Sequence, residues 1–197
     1  KFPIPFKCVA MDLITGNQVV IDKGSLTYAI RASLSIPTIF SPVQFGDSLL
    51  IDGGVINNLP VDIVREMGAD IVIAINVSST NKNQNQIKNI IDVLEQSMTI
   101  HGYKLEHKNE LNADLVIKPN LNGFTSSDFS NDKFLKMVDR GYKAGLDISE
   151  DLIKIRNITG YKKELNFAPK SIENPKISSI NISGNDELSS NFLSRLI

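Results

Sequence analysis

The sequence is poor in the residues on which many functional sites depend. It has one cysteine, Cys8, and two histidines among its 197 residues. A single cysteine cannot form an internal disulfide and excludes a structural zinc site built on thiolates. Two histidines exclude a site that needs three imidazoles. We therefore expect no metal and no cofactor.

An excess of charge and a long apolar run are also missing. The chain has 21 Lys and Arg against 22 Asp and Glu. It therefore lacks the excess of positive charge that is typical of nucleic-acid-binding proteins, and we do not expect nucleic acid as a partner. The longest apolar run, around Ile71 to Val77, is strand-sized and falls short of the roughly 18 residues that a membrane-spanning helix needs. The remainder, with 42% hydrophobic and 22% charged residues, is ordinary globular composition.

Strand and helix patterns alternate along most of the chain. Short apolar runs predict strands at Phe6–Leu13, Gln18–Ile21, Leu49–Ile51, Asp70–Val77 and Asp114–Ile117. Helical spacing predicts helices at Ser25–Ser33, Pro60–Gly68, Ile87–Met98 and Asp132–Leu146, with Ser25 as the cap of the first. This alternation predicts an α/β fold with a mostly parallel sheet, helices on both faces, and strands covered on both sides.

The character of the sequence changes near its end. We expect residues 1–158 to form the α/β body, residues 159–175 to be a polar, proline-containing linker, and residues 176–197 to begin a second domain with a short β-α piece. The first residue is Lys1 rather than Met, and no secretory signal follows it. We therefore expect the chain to be a piece of a longer protein, with an incomplete sheet.

The sharpest local feature is Asp52-Gly53-Gly54, which follows a predicted buried strand. In open parallel sheets, ligands bind at the carboxyl ends of strands, so Asp52 is a candidate catalytic residue. The two glycines would allow a tight turn and leave room for a substrate. The alternative is a strand-end turn in which Asp52 bonds to its own backbone.

Other polar residues favour structural roles. Ser33 and Ser35 lack the flanking glycines of a nucleophile turn, which favours loop hydrogen bonds. His101 and His107 are six residues apart on a polar helix, which indicates solvated side chains and leaves a Ser-His-Asp triad without its histidine. Asp12 is predicted to stabilise the turn that follows it. Further along, Asn57 and Asn58 are predicted to cap the next helix.

Five stretches, in this order, resemble the C-terminal part of the patatin-like phospholipases. They are Cys8–Leu13 with Thr15-Gly16, Ala29–Pro37, Phe40–Val43, Asp52–Pro60 and Gly68–Ala74. The resemblance implies that residues 1–158 are the C-terminal part of a hydrolase domain that cleaves lipids or other carboxylic esters. Contact of the parent protein with a membrane surface would fit such a substrate.

The resemblance also assigns residue roles. It implies a Ser–Asp dyad without a catalytic histidine, with Asp52 as the base and Gly53 and Gly54 in the active-site loop. The family's Gly-x-Ser-x-Gly nucleophile turn and Gly-rich oxyanion loop come earlier in its chains, and this sequence contains neither motif. We expect the parent protein to be an enzyme and this chain alone to be inactive. The alternative is a non-catalytic scaffold or interaction fragment of an outer-membrane secretion assembly.

The C-terminal residues carry a second resemblance. Residues Ile177–Asn185, with a helix predicted from Leu188, are similar to the opening of a POTRA domain. Such a domain links some bacterial patatins to an outer-membrane barrel. The resemblance implies a bacterial protein of the cell envelope or outer membrane, with the cytoplasm as the alternative location.

Overall fold

The computed structural model describes residues 4–78, 83–124 and 130–160. Its strands are β1 (Cys8–Asp12), β2 (Gln18–Ile21), β3 (Val43–Phe45), β4 (Ser48–Asp52), β5 (Ile73–Ile75) and β6 (Leu115–Ile117). Its helices are α1 (Leu26–Ser33), α2 (Val61–Glu66), α3 (Ile90–Asn112), α4 (Asn131–Asp147) and α5 (Ser149–Thr159), with 3-10 turns at Gly53–Val55 and Gln84–Gln86. The predicted second domain, 176–197, and nearly all of the predicted linker, 159–175, lie outside the described residues.

Two sheets make up the β structure of the described residues. Strands β1 to β4 form a sheet in the order β2-β1-β4-β3, and every neighbouring pair in it is antiparallel. Strands β5 and β6 pair in parallel. The predicted α/β class is confirmed, but the parallel part is limited to β5 and β6.

Short turns explain the antiparallel pairs at the two edges of the larger sheet. Gly16, with φ 73°, lies in the turn between β1 and β2, and Gly46, with φ 59°, lies between β3 and β4. A parallel pair needs a crossover of a dozen or more residues, whereas turns of this length join antiparallel neighbours. The expectation of a mostly parallel sheet is therefore wrong for β1 to β4.

Helix α1 covers one face of the larger sheet. Ser25 caps it, as predicted, by accepting a hydrogen bond from the Tyr28 amide at 3.5 Å. Its buried residues are alanines, Ala29 and Ala32, which let the helix lie close to the strands. They pack with the buried side chains of Cys8, Ala10, Ile21, Val43 and Leu50.

Helix α2 covers one face of the parallel pair. A second cluster of buried residues joins Leu59 and Val61 to Val72 and Ala74. The other face of β5 is not covered by the described residues, since Ile73 is 42% exposed and Ile75 58%. The prediction that this strand is covered on both faces is therefore wrong for the part of the chain described here.

Helix α4 also presents apolar side chains to solvent. Phe134, Val138 and Tyr142 recur at helical spacing along one side of the helix, and each is more than half exposed. Within the described residues, no helix has the length and apolar character needed to cross a bilayer.

Candidate active site

Asp52 is the last residue of β4 and leads directly into a 3-10 turn. Its carboxylate is partly buried, and its Oδ1 accepts a hydrogen bond of 2.7 Å from the backbone amide of Gly54. Its own backbone amide donates to the carbonyl of Ser35 at 3.0 Å, which ties the turn to the loop after α1. The other carboxylate oxygen, Oδ2, accepts no hydrogen bond from any residue that the structure describes.

Burial determines the direction of the Asp52 pKa. Removal of the carboxylate from water raises its pKa, and the hydrogen bond from Gly54 opposes part of that rise. Asp52 is therefore a stronger base than an exposed aspartate, with one oxygen held and the other available. That combination suits a group that must accept a proton.

One argument made from the sequence does not apply to this site. The rule that ligands bind at the carboxyl ends of strands describes open parallel sheets. Strand β4 is antiparallel to both of its neighbours, so its end is not part of an edge formed by parallel strands. Asp52 remains a candidate because of its own environment.

The two glycines are explained by contacts within the protein. A Cβ on Gly53 would lie 2.2 Å from the Val9 carbonyl oxygen, and one on Gly54 would lie 2.7 Å from Asn58 Oδ1 and 3.0 Å from Asp52 Oδ1. Neither glycine has a positive φ. Space rather than backbone conformation therefore requires glycine at Gly53, where the neighbour is the backbone of β1 rather than the substrate space that the sequence suggested. At Gly54 the neighbours are side-chain atoms.

Helix α3 packs against this turn through a third glycine. A Cβ on Gly102, in the middle of α3, would lie 3.7 Å from the Gly54 carbonyl oxygen and 3.9 Å from that of Val55. Gly102 is buried. Sequence reasoning missed this contact. An isolated glycine in a helix can indicate that another part of the chain packs closely against it, but the sequence does not identify that part.

The asparagines after the turn do not cap α2. Pro60 occupies the N-cap position, and no side chain there accepts a capping hydrogen bond. Asn57 Nδ2 instead donates to Asp62 Oδ1 at 3.0 Å, and Asn58 Nδ2 donates to Ser78 Oγ at 2.8 Å. The capping prediction is wrong, because both amide groups bond to side chains, that of Asn57 to Asp62 in the first turn of the helix and that of Asn58 to Ser78.

Asp12 is confirmed as a structural residue. Its Oδ1 accepts from the amides of Ile14 and Leu49, at 3.1 and 3.3 Å, and its Oδ2 accepts from Thr15 Oγ1 at 2.9 Å. The hydrogen bond from Ile14 is the first cause of a lowered pKa, and Thr15 adds to it. Since β1 and β4 are antiparallel, Asp12 lies away from Asp52, opposite Leu50 in the register.

Ser33 and Ser35 are also confirmed in structural roles. Ser33 Oγ donates to the Val9 carbonyl at 2.7 Å. Ser35 is fully buried, donates to the Arg31 carbonyl at 2.7 Å and accepts from the Arg31 guanidinium. Both hydroxyls therefore donate to backbone carbonyls.

The histidines lie on the outside of α3. His101 and His107 are both exposed. His107 stacks on Tyr103 with ring centroids 6.3 Å apart, and its Nδ1 lies 3.9 Å from Glu110 Oε2. Within the described residues, no three acidic, histidine or cysteine side chains lie together in a way that could hold a metal ion.

Comparison with known proteins bears on the same part of the chain. Residues 3–65 match the family model described as patatin-like phospholipase, and this stretch includes Asp52, Gly53 and Gly54. Over these residues, the chain is similar to the patatin-like phospholipases.

The relatives that it matches are much longer proteins. An uncharacterised NTE family protein of Mycobacterium tuberculosis is 47% identical over 62 residues, which is 32% of this chain and 11% of that protein. Patatin-like phospholipase domain-containing protein 7 of Mus musculus is 38% identical over 93 residues, 46% of this chain and 7% of that protein. A putative patatin-like phospholipase domain-containing protein of Caenorhabditis elegans is 38% identical over 85 residues, 42% of this chain and 8% of that protein.

The patatin-like segment therefore corresponds to a small part of each of these relatives. The similarity to a POTRA domain falls on Ile177–Asn185, outside the described residues, and stays a prediction. The catalytic role of Asp52 and the active-site role of Gly53 and Gly54 also stay predictions.

Proposed function

We propose that this chain supplies the base of a Ser–Asp dyad in a patatin-like hydrolase of lipid esters. The base is Asp52, and Gly53 and Gly54 form the turn that holds it. The observation that carries the proposal is the environment of this carboxylate. It is partly buried, held through Oδ1 by the Gly54 amide, and without a hydrogen bond to Oδ2 from the described residues.

The proposed chemistry needs one proton acceptor that acts twice. As a serine Oγ attacks the ester carbonyl carbon, its proton passes to Asp52, and Asp52 then gives that proton to the departing alcohol. Water attacks the resulting acyl-enzyme, its proton passes to Asp52, and the serine oxygen takes that proton back as the acid leaves. Asp52 ends each cycle ionised.

The raised pKa supports this role. A carboxylate of ordinary pKa is a weak base near neutral pH, and burial brings its basicity closer to what the reaction requires. The serine and the oxyanion donors would come from a part of the longer protein that this chain does not contain. Its substrate would be an ester of the lipid class that the family description names.

The test compares two aspartates in the longer protein that we expect to carry this chain. Asp52→Asn keeps the size of the side chain and an oxygen that can accept from Gly54, but it cannot take up the proton. We expect kcat for ester hydrolysis to fall by about 10³-fold or more, with the fold retained. Asp22→Asn, in the exposed turn after β2, is the matched control and should hydrolyse esters normally.

Two results would reject the proposal. One is near-normal hydrolysis by Asp52→Asn. The other is a longer protein that contains no serine whose loss abolishes hydrolysis, which would favour the scaffold alternative. This chain alone should show no hydrolysis above that of its own Asp52→Ala variant, because neither Ser33 nor Ser35 is placed to act as a nucleophile.

A further inference from the structure

The side chain of Asn58 lies over the turn that holds Asp52, although the proposed dyad gives it no role. A Cβ on Gly54 would lie 2.7 Å from Asn58 Oδ1 and 3.3 Å from Asn58 Cγ. Asp52 Oδ1 lies 3.0 Å from the same point. The Asn58 amide group and the Asp52 carboxylate therefore both lie close to the Cα of Gly54, whose N–H orients the carboxylate.

A chain of hydrogen bonds holds Asn58 in this place. Its Nδ2 donates to Ser78 Oγ at 2.8 Å, and Ser78 Oγ donates to Glu106 Oε2 at 2.7 Å. Glu106 Oε1 accepts from Asn76 Nδ2 at 2.9 Å, and Asn76 is buried at the end of β5. Asn58 is thus anchored to α3 and to the chain that leaves β5, two parts of the fold that lie outside the Asp52 turn.

We propose that Asn58 is a positioning residue for Asp52. Held by Ser78 and Glu106, its side chain fixes the Gly54 backbone so that the Gly54 amide points at Asp52 Oδ1. This inference rests on the proposed function, because it assigns Asn58 a role in the reaction of the same site. Asn58 itself touches neither the proton nor the substrate in this arrangement.

The exposure of Asn58 separates this role from a purely structural one. Asn58 is exposed, unlike the buried Asn57 beside it. Exposed hydrogen bonds contribute little net stability, because water replaces them when they break. Loss of the Asn58 side chain should therefore change the position of Gly54 with little effect on folding.

The charged and titratable groups around the turn make a pH measurement interpretable. Glu106 of α3 accepts from the Ser78 hydroxyl that holds Asn58, and Arg31 of α1 is held on the Ser35 hydroxyl and the Ser41 carbonyl. The two causes that act on the Asp52 pKa are burial and the Gly54 hydrogen bond. When that hydrogen bond weakens, the pKa of Asp52 should rise further.

The test uses Asn58→Ala in the longer protein, with kcat, KM and the pH profile of kcat/KM measured for ester hydrolysis. We expect kcat to fall by about 10- to 100-fold, the order of effect of a small displacement of a catalytic group, while KM changes by less than about 2-fold. The acid limb of the profile should move to higher pH. Asn112→Ala, at the exposed end of α3, is the matched control and should leave all three unchanged.

A second pair of variants tests the anchor rather than Asn58 itself. Ser78→Ala removes the hydroxyl that links Asn58 to Glu106 and should reproduce the loss of kcat and the shift of the acid limb. Ser78→Thr keeps a hydroxyl and should restore both toward the values of the unchanged protein. A merely structural Ser78 would not move the acid limb.

The outcomes separate the two proposals. If Asp52→Asn is inactive while Asn58→Ala has an unchanged kcat and an unchanged acid limb, the positioning role is wrong and the dyad stands. If Asp52→Asn stays active, the dyad itself is wrong. If Asn58→Ala loses activity only in proportion to the fraction of protein unfolded, Asn58 is structural and the inference fails.

Discussion

The place where a Cβ would lie on Gly53 is 2.2 Å from the carbonyl oxygen of Val9. This contact joins the turn after β4 to the backbone of β1. Strands β1 and β4 already pair with each other, with Ala10 opposite Asp52. Because the neighbouring atoms are backbone rather than the end of a side chain, they cannot move aside without distorting the sheet.

Substitution of the two glycines should therefore have unequal effects. Gly53→Ala forces a methyl group into the backbone of Val9, and we expect it to lower the free energy of unfolding by at least about 2–3 kcal/mol. Gly54→Ala meets side-chain atoms of Asn58 and Asp52, which can shift, so it should remain folded. Urea unfolding of both variants checks this, and equal losses would contradict it.

The local fold could be predicted from sequence wherever the signal was local. The β2 strand at Gln18–Ile21, the Ser25 cap of α1 and the span of α4 all follow from turn residues and helical spacing, and the structure confirms them. Strand β3, of three residues, was missed because Pro42 precedes it and only its pairing with β4 makes it a strand. Helix α5 was missed because its apolar residues do not form a clear stripe along one side of the helix.

The long-range arrangement could not be read in this way. An apolar run such as Asp70–Val77 indicates that a strand can bury both of its faces. It does not show which elements cover those faces, and Ile73 and Ile75 are exposed among the described residues. The Asp52 turn was found as a motif. Its contacts with Val9 and Gly102 depend on packing between residues that are distant in sequence, which one sequence does not reveal.

The raised pKa of Asp52 predicts that its charge costs stability. The folded state favours the protonated carboxyl, so the stabilising contribution is present at low pH and is lost as pH rises through the folded pKa. Asp52→Asn removes the charge and keeps an acceptor for Gly54, so it should melt a few degrees higher than the unchanged chain at pH 7. That difference should shrink as pH falls toward the unfolded pKa of about 3.9 and disappear below about pH 3, where the aspartate is protonated in both states.

Thermal unfolding of the two chains across this range of pH measures the effect. Asp22→Asn, in an exposed turn, is the matched control and should leave the melting temperature at pH 7 nearly unchanged. A lower melting temperature for Asp52→Asn at pH 7 would show that the ionised carboxylate stabilises this fold, which is opposite to the expected sign.

Asp12 should show the reverse dependence on pH. Its pKa is lowered, first by the hydrogen bond from the Ile14 amide and then by that from Thr15. The folded state therefore favours the ionised form, and the resulting stability is present above the unfolded pKa of about 3.9 and is lost as pH falls through the folded pKa.

We expect Asp12→Ala to melt several degrees lower than the unchanged chain at pH 7, with a deficit that shrinks below about pH 4. In the longer protein, the kcat of the folded fraction should be unchanged, because Asp12 takes no part in the site. Loss of kcat at an unchanged melting temperature would give Asp12 a catalytic role and overturn its assignment to the turn.

The last prediction concerns Asn109, a fully buried residue of α3. Its Nδ2 donates to the Leu59 carbonyl at 2.8 Å and to Asn57 Oδ1 and Asp62 Oδ1, both at 3.2 Å. Two hydrogens thus serve three acceptors on the segment that follows the Asp52 turn. Its Oδ1, in contrast, is buried without a hydrogen-bond partner among the described residues.

Asn109→Leu keeps the approximate volume and removes both the donor and the unpaired oxygen. The Leu59 carbonyl still accepts from the Val61 amide, and Asp62 Oδ1 still accepts from Asn57 Nδ2 and the Ile63 amide. Among the described residues, only Asn57 Oδ1 therefore loses its donor, which costs about 1–3 kcal/mol, and loss of the unpaired Oδ1 offsets part of this. We expect a net loss of about 1–2 kcal/mol in the free energy of unfolding, measured with urea. Asn112→Leu, three residues further along α3 and exposed, should change it by less than about 0.5 kcal/mol. If Asn109→Leu is as stable as the unchanged chain, the prediction is wrong. The cost of the unpaired oxygen would then equal the stability that the three hydrogen bonds contribute.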